Sequence, residues 1–196
     1  MAEYQFELTP FFEKKRRGRR GVVAAFGELT VTAVRKKPGL KSGHKQLEVQ
    51  VLGDRIPEIV YQTVGPGRPT LRNARLRIDG NPAKLTFNTK AFRNASRALH
   101  ITCERERSYE YVAARLGMGG TLTRPGVLVS LTRDKNPTGK GMSSFGTVTG
   151  EADALDVALA VLFEEVETLE LTASGAVSGV VQRILYSGSN EPYEGI

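Results

Sequence analysis

Residues 157–163 read Val-Ala-Leu-Ala-Val-Leu-Phe, an apolar run with no polar position over nearly two helical turns, flanked by Asp153, Asp156, Glu164 and Glu165. A surface helix carries a polar stripe, so a helix apolar on every side has to be surrounded by protein or by hydrocarbon. The fourteen residues 153–166 extend only about 21 Å as a helix, too short to span a bilayer. Enclosure by the rest of the chain is the remaining solution. Asp153 is the expected N-cap, without a complete capping box, and the acidic start suits the positive end of the helix dipole. Glu164 and Glu165, at the far end, oppose it.

What must do the enclosing is read from the residues before it. From about residue 22 to residue 133 the period is repeatedly two, as in Leu47-Glu48-Val49-Gln50-Val51, which sends apolar and polar side chains to opposite faces of a strand. Ala74, Leu76 and Ile78 alternate with Arg75, Arg77 and Asp79, and Asp79-Gly80 before Asn81-Pro82 marks a hairpin turn. Leu99, Ile101 and Cys103 share one face, with His100 on the other. Tyr109 and Tyr111 open another strand, Leu122 and 127–131 flank the Arg124-Pro125-Gly126 turn, and 145–148 supplies one more. Strands this frequent, with 21 glycines for turns and no helices between them, predict an antiparallel sandwich or closed barrel in a single domain over 1–196. The expected fold is a mainly β, closed or nearly closed antiparallel barrel around the helix near 153–166. Ala176, Val177, Val180, Val181, Ile184 and Leu185 have helical spacing and predict a further amphipathic helix in a C-terminal extension after about residue 168.

A hairpin Thr121-Leu122-Thr123-Arg124-Pro125-Gly126-Val127-Leu128-Val129, then Phe145-Gly146-Thr147-Val148, then Asp153 and the apolar 155–163, resembles the end of tubby-like and LURP-one-related proteins, a superfamily that includes phospholipid scramblases. The resemblance covers the last third of the chain directly. It implies a roughly twelve-stranded barrel around a hydrophobic helix, and a phosphoinositide or phospholipid as partner. About thirty residues follow the helix, and the cysteine-rich segment of scramblases is absent. No binding residue of the family transfers to a numbered position here.

Function is read from charge. The formal charge of +7 favours anionic partners through a salt-sensitive field. Its densest source is residues 13–20, where Lys14, Lys15, Arg16, Arg17, Arg19 and Arg20 repel one another and are expected to stay exposed. Lys36, Lys37, Lys41 and Lys45, in a Gly/Pro-containing loop, extend the candidate anion site. Arginine offers a bidentate fork and lysine a mobile charge to phosphate. The bland alternative is a solvated loop. For Arg72, Arg75 and Arg77, in one strand region, a charged outer face is the simpler reading.

No catalytic constellation is assigned. Asp153 and Asp156 are explained by helix-start acidity, and Ser143 and Ser144 lack an evident base. Gly139-Lys140 fails as a phosphate loop because position 134 is Asp rather than Gly. Gly117-Met118-Gly119-Gly120 reads as a turn. One cysteine, Cys103, read as a small core residue, and two histidines leave no metal set and no disulfide, so neither metal nor cofactor is expected, and a reducing compartment is. Without a secretory leader or membrane-spanning run, the expected location is cytoplasmic, peripheral at a membrane if the partner is lipid. The leading functional expectation is a non-enzymatic module whose basic loops engage phospholipid or phosphoinositide. Nucleic acid, or a protein partner that orders the basic arm, are the alternatives.

Overall fold

A computed structural model of the chain describes residues 3–14, 16–36, 44–66, 71–88, 97–103, 107–114, 119–134 and 141–172. The 176–185 segment, Lys15, Lys37 and Lys41 lie outside them.

Twelve antiparallel strands close into one barrel: β1 (Glu3–Glu13), β2 (Arg16–Val23), β3 (Gly27–Lys36), β4 (His44–Gly53), β5 (Ile56–Pro66), β6 (Arg75–Ile78), β7 (Asn81–Phe87), β8 (Leu99–Thr102), β9 (Ser108–Ala113), β10 (Gly119–Arg124), β11 (Val127–Arg133) and β12 (Ser144–Gly150). Each pairs with its neighbours in sequence, and β1 closes the ring. Its first half pairs with β12, from Glu3 opposite Thr149 to Leu8 opposite Ser144, and its second half pairs with β2, from Thr9 opposite Arg20 to Glu13 opposite Arg16. Closure leaves no free edge to template aggregation.

The alternation seen in sequence sorts side chains between core and outer wall. Leu47, Val49 and Val51 are buried while Glu48 and Gln50 face outward, and Leu99 and Ile101 are buried beside an exposed His100. Cys103 is half-buried at the margin of the core, and burial pushes its thiol pKa up against the opposing pull of Arg107. Asp79 and Gly80 both adopt positive φ, 47° and 82°, which the tight turn joining Ile78 to its partner Asn81 requires. Arg75 and Arg77 lie on the outer wall, whereas Arg72 is not on the strand but in a single 3-10 turn, Leu71–Asn73.

The helix α1 (Ala154–Leu162) follows β12 and runs through the interior against β4, β5, β10 and β11, with Val157, Ala158, Leu159, Val161 and Leu162 wholly buried. It is shorter than 153–166. Beyond it Phe163, Glu164 and Glu165 donate to the carbonyls three residues back, a 3-10 tightening that turns the two glutamates toward the barrel wall. The Phe163 ring stacks on Tyr111 with centroids 4.2 Å apart. On the β12 wall, a Cβ at Gly146 would fall inside the Phe6 ring, so only glycine lets that ring cross the strand. Burying each large side chain of this core contributes about 1.5–3 kcal/mol. Among the described residues, no helix is long and apolar enough to cross a membrane.

Candidate functional site

The strand directions give the barrel two different ends. At the end where α1 begins, described hairpin turns are short: Ile78 to Asn81 and Arg124 to Val127 are each bridged by two residues. The opposite end carries the longer connections, 37–43 and 67–74 among them.

At the first end the helix start is clamped by two arginines. Asp153 accepts from the backbone N–H of Leu155 and Asp156, and the Asp156 carboxylate accepts from the backbone N–H of Asp153. The capping box is therefore complete, with aspartate rather than glutamate as its second member, which the sequence reading did not expect. Arg124 grips both Asp156 oxygens, at 2.7 and 2.8 Å, while Arg107 reaches Asp156 at 3.0 Å and Asp153 at 2.6 Å. Burial alone pushes the Asp153 pKa up, but the Arg107 hydrogen bond and the backbone donor outweigh it and hold the carboxyl below its ordinary value. These carboxylates are consumed by structure. As a catalytic pair they would have to be released from both guanidinium groups.

At the other end the basic block divides. Residues 16–20 are part of β2, not an exposed loop, so the pleat sends alternate arginines to opposite faces. Arg17 and Arg19 pair in register with the inward Ala33 and Val31, and Arg16 and Arg20 face outward. The expectation that all six charges stay exposed fails for Arg19, which is buried. Its physical reason is the helix exit: Arg19 Nε lies 3.2 Å from Glu165 and 3.7 Å from Glu164, Arg17 Nε lies 3.3 Å from Glu165, and Arg133 Nε donates to Glu164 at 3.0 Å. Ser144 also donates to Glu164, and Arg35 pairs with Glu167 at 2.6 Å. The glutamates that oppose the helix dipole are thus neutralised by the wall. Desolvation and the neighbouring Arg133 pull the Arg19 pKa down, against Glu164 and Glu165, yet an arginine stays charged. Arg17, Arg19, Arg133, Glu164, Glu165 and Glu167 line a cleft of about 260 Å³ rimmed by Pro10, Phe12 and Met142.

A larger concavity, about 640 Å³, opens on the outer wall at the same end. It exists because β6 pairs with β5 only from Ile59 to Gln62, so the wall parts beyond Gln62 and the 3-10 turn Leu71–Asn73 lies across the gap. Lys36 from the end of β3, Arg72 from that turn and Arg75 from the start of β6 line this trough, together with Gln46, Gln62 and Asn73. Among the described residues, Glu48 is the acidic one in its lining. It accepts from Gln62 at 3.1 Å and lies 3.8 Å from Lys36.

Among the candidates described, Lys14, Arg16, Arg17, Lys36 and Lys45 lie at the end of the barrel that carries the trough, on or between neighbouring strands β1 to β4. Arg20 sits further along the outer wall, with its guanidinium 5.7 Å from the centre of the Phe11 ring. Among the described residues of the separated basic segments, only Lys36 lines the trough. Arg72 and Arg75, read from sequence as outer-face charges, line it with Lys36, and Arg133 and Arg35 join the inner cluster unannounced. Their only sequence signal is position: each of the latter two follows two inward apolar residues at spacing two, Val129 and Leu131 or Val31 and Ala33. Ser144 is wholly buried on β12, and of the expected turn Gly117-Met118-Gly119-Gly120 the last two residues open β10 while Gly117 and Met118 lie outside the described residues. Among the described residues, no group of three histidine, cysteine, aspartate or glutamate side chains is placed to hold a metal. Comparison with protein-family models, curated proteins and solved structures finds no match.

Proposed function

We propose that this chain is a non-enzymatic binding module of the tubby-like kind that holds an anionic phospholipid or phosphoinositide headgroup in the outer-wall trough, as a cytoplasmic protein peripheral at a membrane. The observation that carries the reading is the convergence of Lys36, Arg72 and Arg75, from three separate elements, on one open concavity, where Glu48 accepts from Gln62 and stands at a loose 3.8 Å from Lys36. Arginine forks match phosphate oxygens in two-point geometry, and Lys36 adds a mobile charge. Gln46, Gln62 and Asn73 offer neutral amides of the kind that hydrogen-bond headgroup hydroxyls. The family side of the proposal is supported by twelve antiparallel strands closed around a helix that follows the last of them. The barrel is the rigid scaffold, and the site lies where its wall parts.

The test is sedimentation with vesicles of phosphatidylserine or phosphatidylinositol bisphosphate in phosphatidylcholine, against phosphatidylcholine alone. Binding should need the anionic lipid and weaken with salt. Each of Arg72→Ala and Arg75→Ala should weaken it about fivefold, the equivalent of roughly 1 kcal/mol per basic group. Equal absence of binding to both vesicle types at low salt would overturn the proposal, as would RNA displacing the chain from vesicles at equal phosphate.

A further inference from the structure

We infer that the barrel end beside the trough is also a membrane-inserting edge, with the Phe12 side chain entering the headgroup boundary of an anionic bilayer. This rests on the lipid reading above and adds the orientation in which the protein meets the bilayer.

Phe12 is 64% exposed, the most exposed of the large apolar side chains described. Single surface hydrophobes are ordinary, so exposure alone says little. Its surroundings are what select a partner. Phe12 stands at the end of β1, opposite Arg17, whose side chain is 42% exposed, and the turn that follows carries Lys14 and the start of β2 carries Arg16, both exposed. Glu13 is the acidic residue of that turn, opposite Arg16. Leu169, itself 37% exposed, and Met142 line the same cleft as Phe12. On its inner side the ring meets a cleft where Arg17, Arg19 and Arg133 are balanced by Glu164, Glu165 and Glu167, so the cations it offers outward are Lys14, Arg16 and the exposed part of Arg17. An aromatic tip with an aliphatic companion beside such cations matches the layered chemistry of a bilayer surface, where phosphates lie just above the first acyl carbons. It does not match a polar protein surface, which would leave the ring in water, and a nucleic acid that stacked a base on the ring is the alternative the RNA arm of the test reads.

The second element is placement. β1 and β3 are separated by one strand, so the Phe12 column stands roughly 10 Å from that of Lys36. Phe12 and Lys36 both lie at the end with the long connections. Lys36 is the trough residue nearest β1, so the trough and Phe12 share one end of the barrel, with Phe12 on the inward side of the rim and the trough on the outer side. By contrast Val22 and Leu52, also exposed, lie toward the other end, and Phe145 lies on the outer wall opposite Glu7.

The chain contains no tryptophan, so Phe12→Trp installs a sole reporter at an exposed position, and Leu52→Trp supplies a control at the opposite end. With phosphatidylserine vesicles in phosphatidylcholine carrying bromines high on the acyl chains, Phe12→Trp should shift its emission to the blue and be quenched, while Leu52→Trp should do neither. Phe12→Ser should lower vesicle partitioning about tenfold. If the Phe12→Trp chain sediments with vesicles and its emission stays as in buffer, the edge is wrong and headgroup binding stands. Loss of both vesicle sedimentation and binding of soluble inositol trisphosphate in the unsubstituted chain would remove the headgroup reading and this inference together. A blue shift with RNA and none with vesicles would overturn the inference in favour of nucleic acid.

Discussion

Arg124 holds Asp156 with two parallel hydrogen bonds, Nε to Oδ1 at 2.7 Å and Nη2 to Oδ2 at 2.8 Å, and Asp156 is completely buried. The pair joins the end of β10 to the first turn of the internal helix, so it fixes how deeply that helix sits in the barrel. Asp156→Asn removes the charge while keeping the shape, and it leaves Arg124 and Arg107 facing a neutral amide. Arg124 and Arg107 are partly exposed and Arg107 keeps Asp153, so the expected loss is that of charge-assisted hydrogen bonds, about 1.5–3 kcal/mol. Urea unfolding at neutral pH should show the midpoint fall with little change in slope.

Acid should weaken the same junction. The Asp153 carboxyl is held below its ordinary value of 3.8 in the folded chain, by the Arg107 hydrogen bond against the opposing effect of burial. A group whose folded pKa is depressed contributes stability that is fully present above the unfolded pKa and is lost as pH falls through the folded one. Arg107→Gln should therefore lower stability at pH 6, and the difference from the parent should shrink below about pH 4. Thermal unfolding measured from pH 6 to pH 2.5 reads this directly. A difference that stays constant over that span would show that Arg107 stabilises through packing alone.

Two adjacent arginines should behave as unlike residues. Arg19→Ala leaves Glu164 and Glu165 short of a partner in a buried cluster, for an expected cost of roughly 3–5 kcal/mol. Arg20→Ala removes an exposed side chain and one contact with Phe11, worth about 1 kcal/mol or less. Denaturation of the two variants side by side is the check, and equal effects would contradict the inward and outward assignment of β2.

Gly146→Ala places a methyl group where the Phe6 ring lies. Overpacking of this kind costs about 1–3 kcal/mol. In the Phe6→Leu background the added methyl has room, so the double variant should be more stable than the sum of the single effects predicts.

These contrasts also show what could be read before the structure was known. The strands of residues 47–51, 74–78 and 127–131 were legible because each has one dry face and one wet face, and period two is the direct result. The helix was legible from its lack of any polar face. The segment 16–20 was not, since four arginines around one glycine have no apolar face to betray a strand, and the carboxylates that allow Arg19 inside lie near residue 165. Pairing across such a separation is set by closure, which no local window contains. The trough was hidden for a similar reason: Lys36, Arg72 and Arg75 meet only because β6 is shorter than the part of β5 it would have to cover. The helix boundary was overdrawn because the apolar run continues into a tightened turn whose geometry serves the arginines, not helix propensity.

The double allegiance of β1 bears on how the molecule is made. Its first half waits for β12, whose partner residues lie more than 130 positions later, and the helix that fills the interior is synthesised later still. On a ribosome the wall therefore emerges with nothing to wrap, and the strands from β2 to β11 can pair only as an open, one-sided sheet whose greasy face has no filling. Final assembly has to seat the helix and join β1 to β12 in one late step, so maturation of the barrel should be slow and governed by β12 and the helix, with the half-made sheet as the species most in need of chaperone protection.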